Sequence, residues 1–366
     1  MAADAIRIEL LPARLGDCII VECLRGRRDP WRLLVDGGPP DTWPLLQQRL
    51  AALAAAGQVV DVAVVTHIDS DHIGGMVPLL SDPAARAMLG DVWFNGAPHL
   101  PERPRSVGQG EEVGAGIAGT DARLPLPWNA AFGGRAVDVG EPGGFLELDV
   151  PNGPHITVLS PTTERLTALA RRWEQALEEA NTPHHRDREL DTPAPLPDLA
   201  PLSTHPSTND GSTPNGSSIA LLLEHRGASV LLGADAFGAV LTAGVTALAR
   251  HRGVGVLTVD AVKVPHHGSR ANVSRALVKA VPARHYLVST NGDTFRHPDD
   301  EAIARIVLGA PAGSTLWFNY RTPRTARWDD AALRAEHDYA VRYPEDDTSG
   351  VVLTLPARAG SRRSAE

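Results

Sequence analysis

Thr66-His67-Ile68-Asp69-Ser70-Asp71-His72-Ile73-Gly74-Gly75 places four side chains of metal-ligand type, His67, Asp69, Asp71 and His72, within six positions. Packing alone asks for no such density. Directly before this stretch, Val62-Ala63-Val64-Val65 is an apolar run of the kind that forms a buried strand, so the cluster falls where a strand ends and a loop begins. Ligands on such a loop converge on one point. Imidazole suits transition metals and carboxylate suits harder divalent ions, so the mixture points to Zn, Mn or a similar ion. Taken by itself, the stretch also reads as a solvated turn with a histidine capping a helix.

Three further segments place ligand-type residues immediately after strand-like runs. Leu33-Leu34-Val35 leads into Asp36-Gly37-Gly38, Val230-Leu231-Leu232-Gly233-Ala234 into Asp235, and Ala261-Val262-Lys263-Val264-Pro265 into His266-His267-Gly268-Ser269. In an α/β sandwich, functional side chains collect at such strand ends and can face one cleft. Each segment alone is weak. An Asp before Gly-Gly is also a common turn, because Asp bonds its own turn backbone and Gly supplies positive φ. Two adjacent imidazoles after a buried strand have little use in packing and are the stronger signal.

In order, spacing and chemistry, these segments resemble the metallo-β-lactamase superfamily, over roughly residues 5–355. That family's signature is His-x-His-x-Asp-His, a lone His, a bridging Asp at a strand end and a final His. This chain reads His67-x-Asp69-x-Asp71-His72, Asp235 and His266-His267, and departs from the signature at Asp69. Asp at that position, the run Lys263-Val264-Pro265-His266-His267-Gly268-Ser269, Asn291 with His297-Pro298, and Leu15-Gly16-Asp17 ahead of Val35-Asp36-Gly37-Gly38 are similar to the hydrolase domain of ComEC, the bacterial DNA-uptake channel. Asn215-Gly216-Ser217-Ser218 stands where the lone His is expected. His184, His185 and His205 lie in a Pro, Ser and Thr rich stretch that reads as solvated loop. The resemblance implies an α/β fold, the αββα four-layer sandwich of two mixed β-sheets flanked by helices.

Composition bounds the rest. The chain has 366 residues, 43% of them hydrophobic, enough for a large core. Cys18 and Cys23, the only cysteines, stand five apart on one strand and should face opposite sides, which with a reducing setting predicts a cytoplasmic, unpaired state. No apolar run approaches the roughly twenty residues that span a bilayer, and Arg7 and Glu9 interrupt any leader-like N-terminal core, so no membrane is expected. Hydrophobic periodicity predicts strands over 5–10, 17–24, 31–36, 61–66, 217–224, 228–233, 259–264 and 284–289. Helices are predicted over Asp41–Ala56, with Asp41 as N-cap, and over 73–80, Thr162–Ala180, 238–251, 272–280 and 299–308. The organisation expected is one domain over 1–356, with an insertion near 95–145, a flexible loop over 181–214 and a disordered tail over 357–366.

The site expected from this reading holds two divalent ions, Mn or Zn with Mg as an alternative. His67 and Asp69 would hold one, and Asp71, His72 and one histidine of the His266–His267 pair the other, with Asp235 bridging. His266 is taken as the ligand, although spacing does not choose between the two. Asp71, His267 and His297 are the expected catalytic groups, the spare histidine contacting a phosphate or protonating the leaving oxygen. Asp36 is expected to orient a ligand histidine. Asn215, Asn291 and Lys263 are expected either near substrate or behind the metal ligands, and Lys263, Arg270, Arg275, Lys279 and Arg284 offer a basic patch.

A net charge of −9 argues against a broad duplex-binding face, so the expected substrate is single-stranded DNA or DNA ends, cut at a phosphodiester. Rival expectations are a hydrolase of a lactone, thioester, lactam or small phosphodiester, and a non-catalytic subunit of a defence or DNA-processing assembly.

Overall fold

The computed structural model describes residues 4–101, 109–119, 124–140, 145–180, 193–346 and 349–358. Fourteen strands are found among these residues: β1 (Ala5–Leu10), β2 (Ile19–Arg25), β3 (Arg28–Val35), β4 (Val60–Val64), β5 (Leu89–Trp93), β6 (Glu147–Asp149), β7 (His155–Ser160), β8 (Ala220–His225), β9 (Ala228–Leu232), β10 (Val259–Lys263), β11 (Ala283–Val288), β12 (Ser314–Phe318), β13 (Tyr339–Arg342) and β14 (Val351–Pro356). They form a six-stranded sheet in the order β14-β1-β2-β3-β4-β5 and an eight-stranded sheet in the order β13-β12-β11-β10-β9-β8-β7-β6. Both sheets are mixed. β14, β1, β2 and β3 pair antiparallel and β3, β4 and β5 parallel. β9 to β13 are parallel, whereas β6 to β9 are antiparallel.

Period-two alternation assigns each strand residue to a layer. Ile19, Val21 and Cys23 of β2, Leu33 and Val35 of β3, and Leu221 and Leu223 of β8 meet in the core between the sheets. Their neighbours Ile20 and Leu34 turn to helices covering the first sheet, and Leu222 and Leu231 to helices covering the second. This near-continuous apolar run is what a strand buried on both faces requires. Helix Trp43–Ala55 buries Leu46, Leu50 and Leu53 on one side, and helix Gly238–His251 does the same with Leu241, Val245 and Leu248. Cys23 lies on β2 and faces the core between the sheets, while Cys18, one residue before β2, lies in the helix-side core; both are free thiols on opposite faces.

Several sequence expectations need correction. The helix expected over Thr162–Ala180 is two, Thr163–Arg171 and Trp173–Ala180, because Arg172 leaves helical geometry at φ −118°, ψ 15°. Asp41 does not cap a helix through its side chain; it lies in a 3-10 turn over Pro40–Thr42 and pairs with Arg14 at 2.6 Å. Of the loop expected over 181–214, residues 181–192, with His184 and His185, lie outside the described residues. The rest is built into the fold: Leu199–Thr204 and Thr213–Gly216 are helices, and buried Arg305 donates to the carbonyls of Ser203 and His205. Residues 359–366 of the expected tail lie outside the described residues, while Ala357 and Arg358 donate backbone hydrogen bonds to Asp4 and Arg226. Within the expected insertion, Trp93 and Phe132 belong to the inter-sheet core, and Phe94 and Trp128 stack at 6.2 Å.

The parallel halves of the two sheets deliver their chain ends to one edge. β3 ends just before Asp36, β4 leads into a loop carrying Thr66, His67 and Asp69 and then the one-turn helix Ser70–Ile73 with Asp71 and His72, β9 ends before Asp235, β10 before His266-His267 and β11 before Ser289. Ligands in such sheets bind beyond the carboxyl ends of the strands. Two glycines allow these loops to interlock. A Cβ on Gly16 would lie 1.6 Å from the Asp71 carbonyl oxygen, and one on Gly75 would lie 2.1 Å from that of Gly37.

Candidate metal centre

Asp36 sits beneath the first ligand block in left-handed backbone geometry, φ 58°, and is fully buried. Its Oδ1 accepts from the Thr66 amide at 2.8 Å, and its Oδ2 accepts from the Thr66 hydroxyl at 2.7 Å and from His72 Nδ1 at 2.8 Å. Because the Thr66 hydroxyl donates to Asp36, it accepts from His67 Nδ1 at 3.0 Å. One carboxylate therefore fixes the protons of two histidines. Both carry hydrogen on Nδ1 and turn the Nε2 lone pair outward.

His267 is fixed in the same way from the other sheet, its Nδ1 donating to the Ser289 carbonyl at 2.7 Å. His72 Nε2 and His267 Nε2 consequently face each other at 3.2 Å. Two acceptor lone pairs at that distance repel unless a proton or a metal cation stands between or beside them. Asp235 Oδ2 lies 3.4 Å from each of these nitrogens, Asp71 Oδ2 3.8 Å from His72 Nε2 and 3.5 Å from His267 Nε2, and Asp69 Oδ2 3.5 Å from His67 Nε2. Ligands roughly 2.1 Å from a tetrahedral ion stand about 3.4 Å apart, so the spacing is that of a ligand cage. His67 Nε2 is buried without a hydrogen-bond partner among the described residues, a further sign that the donor set fits a cation. His67, His72 and Asp235 form one group able to hold an ion, and Asp71, His72 and His267 another.

The protons follow the charges. Burial disfavours the His72 and His267 imidazoliums, but Asp235 and its neighbouring carboxylates outweigh it, raising both and bringing His267 to about 9. Burial likewise opposes ionisation of Asp71 and Asp235, and the adjoining histidines overcome it, holding both carboxyls below the ordinary range. Without metal, protons supply the positive charge the cluster demands.

His266 and His267 exchange the places expected of them. His267 enters the ligand group, whereas His266 Nδ1 lies 3.1 Å from Asp210 Oδ2, with Asn272 and Asn215 at 3.0 and 3.3 Å, leaving its Nε2 3.7 Å from Asp235 Oδ2. The reason is the backbone. Both residues adopt left-handed geometry, φ 46° and 53°, which throws adjacent rings to different sides. Asn215 does reach this side of the site, its amide donating to Asp210 at 2.9 Å. His297 is half-buried, with its ring 5.4 Å from that of His266, and desolvation together with the nearby histidines lowers it well below the ordinary histidine value.

Asn291 and Lys263, also expected at the substrate or behind the ligands, are placed differently. Asn291 bonds Asp293 within a turn that Arg14 also joins. Lys263 is buried against Asp17 and stands 3.9 Å from Asp235 Oδ1, so it lies behind a ligand-type carboxylate and leaves the expected basic patch; burial on a central parallel strand overrides its charge. Asp210, Asn272 and Ser289 were missed. None stands in a run of ligand-type residues, and Asp210 falls in the stretch whose composition reads as loop. Thr66, one residue before His67, carries no ligand-type side chain, so the pattern assigns it no role.

The family model described as the metallo-beta-lactamase superfamily matches residues 17–163. The chain has the metallo-β-lactamase fold. No curated protein matches it in sequence. Among solved structures, the metallo-beta-lactamase fold protein YhfI from Bacillus subtilis is 9% identical, over 95% of this chain and 99% of that one, at a TM-score of 0.40. Zn(2+)-bound PqqB from Methylobacterium extorquens is 12% identical, over 92% and 87%, at 0.37. A variant of the CmlA beta-hydroxylase is 12% identical at 0.39, over 97% of this chain, which spans about half of that protein's length (54%). Among the described residues, no helix is long and apolar enough to cross a membrane.

Proposed function

We propose that the chain is a divalent-metal-dependent phosphodiester hydrolase acting on DNA, with single strands or exposed ends as substrate. The observation that carries this reading is the pair of facing Nε2 atoms of His72 and His267, 3.2 Å apart and ringed by Asp71 and Asp235. His67 and Asp69 on one side, Asp71, His72 and His267 on the other, and Asp235 would hold two divalent ions, which would supply an activated water and neutralise phosphate charge. Carboxylate at position 69 shifts the donor set towards Mn or Mg relative to a set richer in imidazole. The likeness of the Lys263–Ser269 run to the ComEC hydrolase supports DNA as substrate.

The chain's own residues do the rest. Asp36 holds His72 and, through Thr66, His67 in the tautomers that present Nε2. Burial lowers the His266 imidazolium, but Asp235 and Asp210 outweigh it and keep the group raised, so His266 can carry a proton to a leaving oxygen near Asp235. His297, held neutral, can orient a phosphate oxygen beside it.

The test is cleavage of end-labelled single- and double-stranded DNA by metal-stripped protein with Mn, Mg or Zn restored. Cutting that depends on metal and disappears in Asp71→Ala supports the proposal. A metal-filled protein that cuts no DNA under any of these conditions refutes it and brings carbonyl substrates forward.

A further inference from the structure

Lys263 is the charged residue at the site that the chemistry above does not use. Its side chain and that of Asp17 are each 1% exposed, and the two form an ion pair beneath the ligand cluster. The Lys263 ammonium also donates to the Ala234 carbonyl at 3.3 Å and stands 3.9 Å from Asp235 Oδ1. That oxygen has no hydrogen-bond partner among the described residues, while Oδ2 of the same carboxylate lies 3.4 Å from the Nε2 atoms of His72 and His267. The two oxygens of Asp235 therefore face different cations.

Asp17 is itself placed like a ligand. Its carboxylate joins Asp235 and His267 in one group of ligand atoms within 4.8 Å of each other, and joins Asp36 and His72 in another. Its Oδ1 lies 3.6 Å from His267 Nδ1, behind the ring. Two buried carboxylates and an imidazole without a counter-charge would draw a cation. The ammonium of Lys263 already stands there.

Building on the metal-dependent reading above, we propose that Lys263 is a positioning residue: a resident cation that fills the space between Asp17 and Asp235, keeps divalent ions out of it, and reserves Asp235 Oδ2 for the metal pair. An ammonium suits this place because it is a compact point charge on a long apolar stem that can reach through the core. The pair also explains why a lysine stands on a central, doubly covered strand, where an unpaired charge would be excluded.

The experiment counts metal rather than turnover. Metal-stripped protein is equilibrated with excess Mn or Zn, freed of unbound ion and analysed for metal per chain, with calorimetric titration alongside. Lys263→Met is expected to take up one ion more per chain than wild type, because Asp17 and Asp235 are left facing each other. The neutral pair Lys263→Met with Asp17→Asn, similar in volume and without charge, is expected to return to the wild-type count. If Lys263→Met does not fold, Asp17→Asn decides: the freed ammonium then bears on Asp235, and metal affinity is expected to fall roughly tenfold with the count unchanged. A wild-type count in folded Lys263→Met, or wild-type affinity in Asp17→Asn, overturns the assignment. Wild-type protein that takes up no divalent ion overturns the metal reading along with it, and the wild-type titration separates that result from the others.

Discussion

Replacing Asp36 by Asn separates the support of the metal ligands from the ligands themselves. Asn tolerates the left-handed backbone found at this position and nearly matches Asp in volume, so neither strain nor a cavity confuses the result. Asp36 accepts three hydrogen bonds at 2.7–2.8 Å. If the amide oxygen keeps the Thr66 backbone bond, the NH2 group is turned towards Thr66 Oγ1 and His72 Nδ1. The hydroxyl can rotate to accept, but His72 Nδ1–H then faces a donor. The ring must give up that bond or move its proton to Nε2, where the metal should bind. Losing a hydrogen bond to a charged acceptor costs about 1.5–3 kcal/mol, a factor of about 10 to 150. Metal affinity should therefore weaken by one to two orders of magnitude, the range expected of partners behind a ligand histidine. Calorimetric titration of the metal-stripped protein with Mn or Zn, using a competing chelator, reads this directly, and circular dichroism checks the fold. An affinity within about twofold of wild type in a folded Asp36→Asn protein would refute the argument that Asp36 sets the tautomer of His72.

Asp71→Ala should abolish turnover and weaken metal uptake while leaving the secondary structure intact; full activity would exclude Asp71 from the chemistry. Asp210→Asn should lower kcat for DNA by about 100-fold or more with metal content unchanged, and by much less on an ester whose leaving group needs no proton, such as a p-nitrophenyl phosphodiester. An equal loss on both substrates would count against His266 as the proton donor. The metal-stripped protein should also lose thermal stability as pH rises. For His267 burial lowers the imidazolium, yet Asp235 and Asp17 raise it from 6.5 to about 9. Its contribution is complete below about pH 6.5 and is lost as pH climbs through about 9, so melting temperature should fall across that window and the fall should shrink once metal replaces the proton. In the second sheet, Leu222→Ala, which empties a fully buried position facing the helices, should cost about 2–5 kcal/mol in denaturant unfolding.

Much of this architecture is legible in the chain because its strands are buried on both faces. Runs such as Leu33–Val35 and Val230–Leu232 announce a strand, and the ligand-type residues that follow them mark the sheet edge where the site forms. Local periodicity fails where tertiary contacts decide. It joins two helices across Arg172, whose side chain carries no apolar signal, and it takes the Ser203–Asp210 stretch for loop because its order comes from Arg305, about a hundred residues away in sequence. Adjacent histidines cannot be told apart by spacing, since their left-handed backbone is set by the turn after β10. Asp17 was visible only as part of a motif, and its partnership with Lys263 joins residues far apart in the chain. Charge misled at Lys263, where composition suggests surface and the fold supplies a buried carboxylate.

Whether His67, His72, His267, Asp71 and Asp235 hold divalent metal is read by anomalous diffraction from crystals grown with Mn or Zn. Anomalous density is expected bounded by the Nε2 atoms of His72 and His267 and by Asp71 and Asp235 Oδ2, with a second peak beside His67 and Asp69. Saturating metal with no anomalous peak inside this ring of side chains would contradict it.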